Sequence, residues 1–244
     1  MSRALITGGS AGLGRALASG LAEDGWDVVI TGRNRERLDN AAAGLGKRVT
    51  AVAGDVTDPG HRDRLAEVVA DGLDLLVNNA STLGTIPLVP VQELTSAVLR
   101  HVWETNVVAP VALIRTLRPL LRGSAVEGEG PIVIDITSDA AAEHYETWGA
   151  YAASKAALEH LTLTLAAEDP AVRWYAVDPG DLRTQMHQDA FPGEDISDRQ
   201  LPETVVPAFL ALIDRRPPSG RYRAADLTAL AGVPRPGRQM GQSA

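Results

Sequence analysis

The 244-residue chain contains no cysteine, which excludes a disulfide scaffold, a zinc ribbon and any thiol nucleophile. Basic residues are also in deficit. Lysine and arginine number 23 against 31 acids, for a formal net charge of −8, so the clustered positive face that nucleic acid requires is not expected. Long apolar runs are missing too. The longest, 205–213, has nine residues even counting Pro207, whereas a membrane span needs about twenty. The N-terminus opens directly into a strand-like run, Arg3-Ala4-Leu5-Ile6-Thr7, with no signal-like apolar segment before it. A soluble, cytoplasmic protein without a membrane or nucleic-acid partner is expected. Aromatics make up only 4% of the chain, yet Tyr145, Trp148 and Tyr151 fall within one short stretch, and that concentration needs a reason.

What is present is enough apolar material for a core, 45% hydrophobic residues against 22% charged. Apolar runs at 4–7, 28–31, 49–53, 73–77, 132–137 and 172–177 alternate with stretches of helical spacing, such as Leu13, Leu17 and Leu21 or Ala153, Ala157, Leu161 and Leu165. Mostly apolar strands separated by helices predict βαβ units. Right-handed crossovers then give an α/β, doubly wound Rossmann-like fold. We expect a mostly or wholly parallel sheet of about seven strands with helices on both faces, the last strand at 221–224. Residues 1–231 are expected to form a single domain, with substrate loops near 139–150 and 185–203. Residues 232–244, rich in Pro, Gly and Arg, read as a mobile tail.

The first strand runs into Thr7-Gly8-Gly9-Ser10-Ala11-Gly12-Leu13-Gly14 and then a helix. Glycines at such a turn let backbone amides approach a pyrophosphate, and the helix N-terminus adds a favourable dipole. Gly8, Ser10, Gly12, Leu13 and Gly14 are therefore candidate cofactor-binding positions. At the end of the second strand, the acid that would bind the ribose of NAD is missing, and Arg33 follows Gly32 instead. A guanidinium pairs bidentately with a 2′-phosphate that a carboxylate would repel, so NADP is expected over NAD. Asp55 and Val56 end the third strand, and Asn79 and Ala80 the fourth. Both pairs lie at the sheet edge where open α/β folds bind ligands.

After the fifth strand come Ser138 and then Tyr151-Ala152-Ala153-Ser154-Lys155. Tyr and Lys four apart share one helix face. A phenol with an ordinary pKa of about 10 is a poor base at neutral pH, and a neighbouring ammonium is expected to lower it. Together with Thr7–Gly14, Asn78-Asn79-Ala80, Asn106 and Asp178-Pro179-Gly180…Thr184, this set resembles the short-chain dehydrogenase/reductase family of the single-domain type. The match runs in the family's order from Ala4 to about Thr184. The resemblance implies a nicotinamide cofactor and interconversion of a carbonyl and an alcohol on a small-molecule substrate. It assigns Tyr151 as general acid/base and Ser138 as the group positioning the substrate oxygen. Lys155 is assigned to the Tyr151 pKa and the nicotinamide ribose, and Asn106 to a water linking Lys155 to solvent. Pro179, Gly180 and Thr184 are assigned to the nicotinamide carboxamide. Pro110 offers a physical basis for the water, because it has no N–H to donate to the Asn106 carbonyl within a long helix at 94–121.

On the substrate side, Trp148, Tyr145 and Met186 are the candidates, and no metal site is expected. The resemblance implies a homodimer through the helices at 94–121 and 150–168. A tetramer is the alternative, although the chain has Ala225-Asp226-Leu227 where the family usually has Asp-Gly-Gly. The rival function is an NADP-binding sensor without turnover. An intact Ser–Tyr–Lys set argues against it.

Overall fold

The structure, a computed structural model, describes residues 2–122 and 130–231. Three strand–helix units and a fourth strand are laid down first: β1 (Arg3–Thr7), α1 (Gly12–Glu23), β2 (Asp27–Gly32), α2 (Arg35–Leu45), β3 (Val49–Ala53), α3 (Pro59–Val68) and β4 (Leu75–Asn78). There follow α4 (Ser96–Trp103), α5 (Ala109–Leu117), β5 (Ile132–Ile136), α6 (Gly149–Glu168), β6 (Arg173–Asp178), α7 (Gln185–Ala190), α8 (Val206–Arg215), β7 (Gly220–Arg223) and α9 (Ala224–Ala231). The strands form one seven-stranded sheet of order β3-β2-β1-β4-β5-β6-β7, parallel throughout. The chain reverses direction across the sheet between β1 and β4, and the edge above that point is where a ligand crevice opens.

The strands are buried on both faces because successive side chains alternate. Ala4 and Ile6 join Leu17, Leu21, Phe209 and Leu212 under α1 and α8. Leu5 joins Leu65, Leu113, Leu117 and Trp174 on the opposite face. Each fully buried Leu, Ile or Phe contributes about 1.5–3 kcal/mol from removal of apolar area, so the two layers hold the sheet rigid beneath the crevice. Helix starts follow their capping residues. Asn34 accepts from the Arg37 amide at 2.9 Å, and Asp58 accepts from the Gly60 and His61 amides at 3.0 and 3.2 Å ahead of Pro59.

Three expectations are corrected. The helix expected at 94–121 is α4 and α5 joined by a π-helical turn at Glu104–Val108, in which the Ala109 amide reaches the Glu104 carbonyl. Pro110 cannot donate, so the chain resets its register there with a wider turn. The stretch expected to be a loop at 185–203 contains α7, with Thr184 accepting from the His187 amide at 3.2 Å as its cap. The last strand ends at Arg223, and Ala224 already begins α9. The tail at 232–244 lies outside the described residues, as do residues 123–129.

Candidate active site

The β1–α1 turn and the end of β4 are locked together by side chains. The Thr7 hydroxyl accepts from the amides of Asn79 and Ala80, both at 2.9 Å, while Asn79 Nδ2 donates to the Thr7 carbonyl at 2.8 Å. Gly8 has φ +70°, and a Cβ there would stand 2.7 Å from Asn79 Nδ2. A Cβ on Gly14 would stand 2.4 Å from the Gly8 carbonyl. Only glycine fits either position. The residue before α1 is Ala11, which has no side chain to cap the helix, so the first N–H groups of α1 are left to a ligand.

A cleft of about 590 Å³ runs along this sheet edge. It brings together Gly8, Ser10, Gly12, Leu13, Arg33, Asp55, Val56, Asn79, Ala80, Ser138, Tyr145, Trp148, Tyr151, Lys155, Pro179, Gly180, Thr184 and Met186 from the sequence-based set. Gly14 and Asn106 stand behind its wall. Gly14 allows α1 to approach the turn, and Asn106 is buried at 1% exposure.

At one end, Arg33 is exposed and makes no hydrogen bond or ion pair with the described residues. Asp55 Oδ1 accepts from the Thr57 amide and hydroxyl at 2.9 and 2.8 Å. Burial works against ionisation of Asp55, but those bonds and the Arg33 charge hold its pKa below the ordinary value. Free guanidinium, uncapped helix start and a turn that admits only glycine fit an adenosine phosphate and a pyrophosphate.

At the other end, Tyr151 and Lys155 project from one face of α6. Tyr151 is 9% exposed and Lys155 2%. Lys155 Nζ donates to the Ile136 carbonyl at 2.7 Å and lies 5.5 Å from the centre of the Tyr151 ring. Burial pulls the Lys155 pKa down to about 8, against the opposing charge of Asp135. Burial pushes Tyr151 up, and a hydrogen bond with Ser138 offsets this only in part. The expectation that Lys155 lowers the Tyr151 pKa is therefore not met in this geometry. The ammonium is turned to a backbone carbonyl, and desolvation of the phenol outweighs every favourable contact.

Asn106 is tied on all sides. Its Oδ1 accepts from the Thr82 amide at 2.9 Å and the Ser81 hydroxyl at 3.1 Å; its Nδ2 donates to the Thr82 carbonyl and Ser154 Oγ, both at 2.9 Å. It thus fastens the loop after β4 to α6, one residue from Lys155.

Sequence reasoning missed Asp135 and placed Asp139 and Phe191 only within the expected substrate loops, without a role. Asp135 in β5 is fully buried and accepts from Asn78 Nδ2 at 2.7 Å and Thr162 Oγ1 at 2.6 Å, a polar strut from β4 to α6 beneath Lys155. Its only sequence signal is an acid at the centre of an apolar run. Asp139 accepts from Ser138 Oγ and the Tyr145 hydroxyl, each at 2.8 Å. Phe191 packs 5.9 Å from Trp148, and Trp148 meets Tyr151 edge-on at 5.7 Å. The aromatic concentration noted in the sequence is thus one wall of the cleft, with exposed His144 outside it.

A parallel sheet of this order, with a glycine turn at one end of its crevice and a Ser–Tyr–Lys set at the other, defines a Rossmann-like dinucleotide-binding fold. The sequence pattern of the short chain dehydrogenases matches residues 2–195, and the chain belongs to that family of oxidoreductases. YciK, an uncharacterized oxidoreductase of Escherichia coli K12, is 32% identical over 219 residues, covering 86% of this chain and 84% of YciK. A serine 3-dehydrogenase of Agrobacterium fabrum is 32% identical over 187 residues, 74% of this chain and 72% of its own. A short chain dehydrogenase of Shigella flexneri 2a, crystallised with NADP, superposes with a TM-score of 0.83 at 30% identity, over 92% of this chain and 97% of the other. Among the described residues no group of side chains is arranged to hold a metal ion, and no helix is long and apolar enough to cross a membrane.

Proposed function

We propose that the chain is an NADPH-dependent reductase of ketones or aldehydes, with Tyr151 as proton donor, Ser138 as the group that positions the carbonyl oxygen and Lys155 as the ammonium supporting both. The observation that carries this reading is the two-ended cleft: an unpaired Arg33 and a glycine turn at one end, buried Tyr151, Ser138 and Lys155 at the other. The NADP bound by the Shigella structure supports the choice of cofactor. When bound, the reduced nicotinamide supplies a hydride.

The chain supplies the rest. Arg33 would pair with the 2′-phosphate, Asp55 and Val56 would contact the adenine, and Pro179, Gly180 and Thr184 would hold the carboxamide. Asn79 and Ala80 would form the floor beside the nicotinamide ribose. A substrate oxygen at Tyr151 receives the Oη proton as charge develops on it. Burial keeps the phenol protonated, so the proton it would donate is in place, and the direction, reduction, follows from the choice of NADPH as cofactor. Lys155, with its pKa near 8, titrates close to working pH and can return a proton toward Tyr151. Trp148, Tyr145 and Met186 would wall the substrate, which aligns it for attack.

The same reading includes a homodimer. Leu99 and Trp103 on α4, Val108 in the π turn and Leu161 on α6 are large apolar side chains left exposed, and burying them against a second copy removes that apolar area from water.

The test is loss of NADPH absorbance with a panel of ketones and aldehydes, with Tyr151→Phe as the comparison. The variant is expected to bind NADPH normally and lose turnover by about 10²–10⁴-fold. Activity near that of the parent protein would remove Tyr151 from the acid role. A parent protein that binds NADPH and reduces nothing would make the chain a sensor.

A further inference from the structure

Resting on the reductase reading above, we propose that the substrate carries a protonated amine on the carbon next to its carbonyl, and that the Asp139 carboxylate reads this amine. Asp139 follows Ser138 directly and lines the cleft, half-buried, between Ser138 and Tyr145. Its Oδ1 accepts from Ser138 Oγ and the Ala140 amide, both at 2.8 Å, and its Oδ2 accepts only from the Tyr145 hydroxyl. A carboxylate has about four acceptor positions, so Oδ2 keeps one for a ligand.

The neighbouring acids are matched by cations. Asp178 lies 3.6 Å from Arg221 and 3.9 Å from Arg223, Glu159 lies 3.0 Å from Arg221, and Asp181 lies 3.6 Å from Arg199. Among the described residues, no Lys, Arg or His nitrogen comes within 4 Å of Asp139; Arg223 acts on it only at longer range. Burial opposes its charge, but the bonds from Tyr145, Ser138 and Ala140 hold its pKa below the ordinary value. At neutral pH Asp139 is therefore an anion with no cation in contact among the described residues. Tyr145, Trp148 and Phe191 line the same cleft, and aromatic rings favour a cationic guest.

The same geometry ties recognition to reaction. Ser138 has one hydroxyl proton, and it is given to Asp139. A carbonyl oxygen at Ser138 needs that proton. An ammonium on Oδ2 neutralises Asp139, weakens its hold on the Ser138 proton and frees that hydroxyl for the substrate oxygen. Ser138 Oγ and Asp139 Oδ1 are 2.8 Å apart, so the substrate oxygen and nitrogen must also lie close together, as they do on adjacent carbons. The reduction balances as hydride from the reduced nicotinamide to the carbonyl carbon and the Tyr151 proton to the oxygen, with solvent reprotonating Tyr151 and the amine unchanged.

Aminoacetone and hydroxyacetone are near-isosteric ketones that differ in this charge. With NADPH at neutral pH, kcat/KM is expected to favour aminoacetone by about tenfold or more, the strength of a hydrogen bond to a charged group. Asp139→Asn should bring the two within about threefold of each other, with its fold verified by NADPH fluorescence. N-acetylation of the amine, which removes the charge without touching the protein, should do the same in the parent chain. A parent ratio near one, or a high ratio that survives Asp139→Asn or N-acetylation, overturns the proposal while leaving the reductase reading intact. If neither ketone is reduced, the reductase reading fails first. Calorimetric binding of aminoacetone to the protein with NADP⁺ then decides: binding weakened at least about tenfold by Asp139→Asn supports amine recognition, and binding indifferent to the variant overturns it.

Discussion

Lys155 should make the protein less stable than it could be, by an amount the structure sets. Its pKa falls from 10.5 to about 8 on burial, and at about 1.4 kcal/mol per pH unit this is about 3 kcal/mol of cost to hold the ammonium inside. The sign follows from proton counting. Between about pH 8 and 10.5 the unfolded chain binds a proton that the folded chain has released, so stability must rise with pH through that window. Above about pH 10 the raised pKa values of Tyr151 and Tyr175, both set chiefly by burial, reverse the trend, because the unfolded tyrosines ionise first. Urea unfolding of the parent protein from pH 7.5 to 9.5 should therefore show a gain of about 2 kcal/mol. Lys155→Met keeps the length of the chain and removes the charge. It leaves the Ile136 carbonyl without its 2.7 Å donor, which costs about 1–2 kcal/mol, and leaves buried Asp135 without its opposing charge, which together offset the relief of removing the ammonium. The variant should therefore be no more stable than the parent at neutral pH, should lack the parent's gain across the window and should be inactive with NADPH and any ketone. A parent profile that is flat from pH 7.5 to 9.5, or a Lys155→Met protein that keeps the gain across that window, would refute the reasoning.

Arg33→Asp should lower the preference for NADPH over NADH, as a ratio of kcat/KM, by about tenfold to a hundredfold, from loss of a charge-assisted pair and gain of a repulsion; an unchanged ratio places phosphate recognition elsewhere. Asn106→Ala removes four hydrogen bonds inside the wall of the cleft and should cost about 3–5 kcal/mol in urea unfolding; a loss under about 1 kcal/mol would show that the loop after β4 is held without it. Trp103→Glu places a charge on the exposed face of α4 and should leave a folded, NADPH-binding monomer by sedimentation; a persistent dimer would move the interface off this face.

Much of the fold was legible because parallel strands buried on both faces carry a simple signal. The apolar runs that were read as strands match β1 to β6 to within two residues at each end. The departures have local causes. The π turn at Glu104–Val108 depends on how the chain re-pairs its carbonyls around Pro110, and periodicity states only that a donor is lost. Helix α7 is six residues long, too short for an apolar stripe, and its one signal is the capping Thr184. The start of α9 at Ala224 follows β7 without a breaker residue, so nothing in the sequence separates them.

The site divides along a similar line. Gly8, Gly14, Tyr151 and Lys155 were legible because backbone geometry or helical spacing demands those residue types there. The polar residues that complete the site act through distant partners. Asn78, Asp135 and Thr162 meet from three elements, and only the closed sheet brings them together. They explain why a lysine can be kept buried near its tyrosine at all: Asp135, itself held by two donors, supplies the one opposing charge that keeps the Lys155 pKa from falling further. Exchanging Asp135 for an apolar residue would relieve one buried charge and strand another. The two buried ions are therefore one unit, and the stability given up at Lys155 is the condition for having a cation within reach of Tyr151.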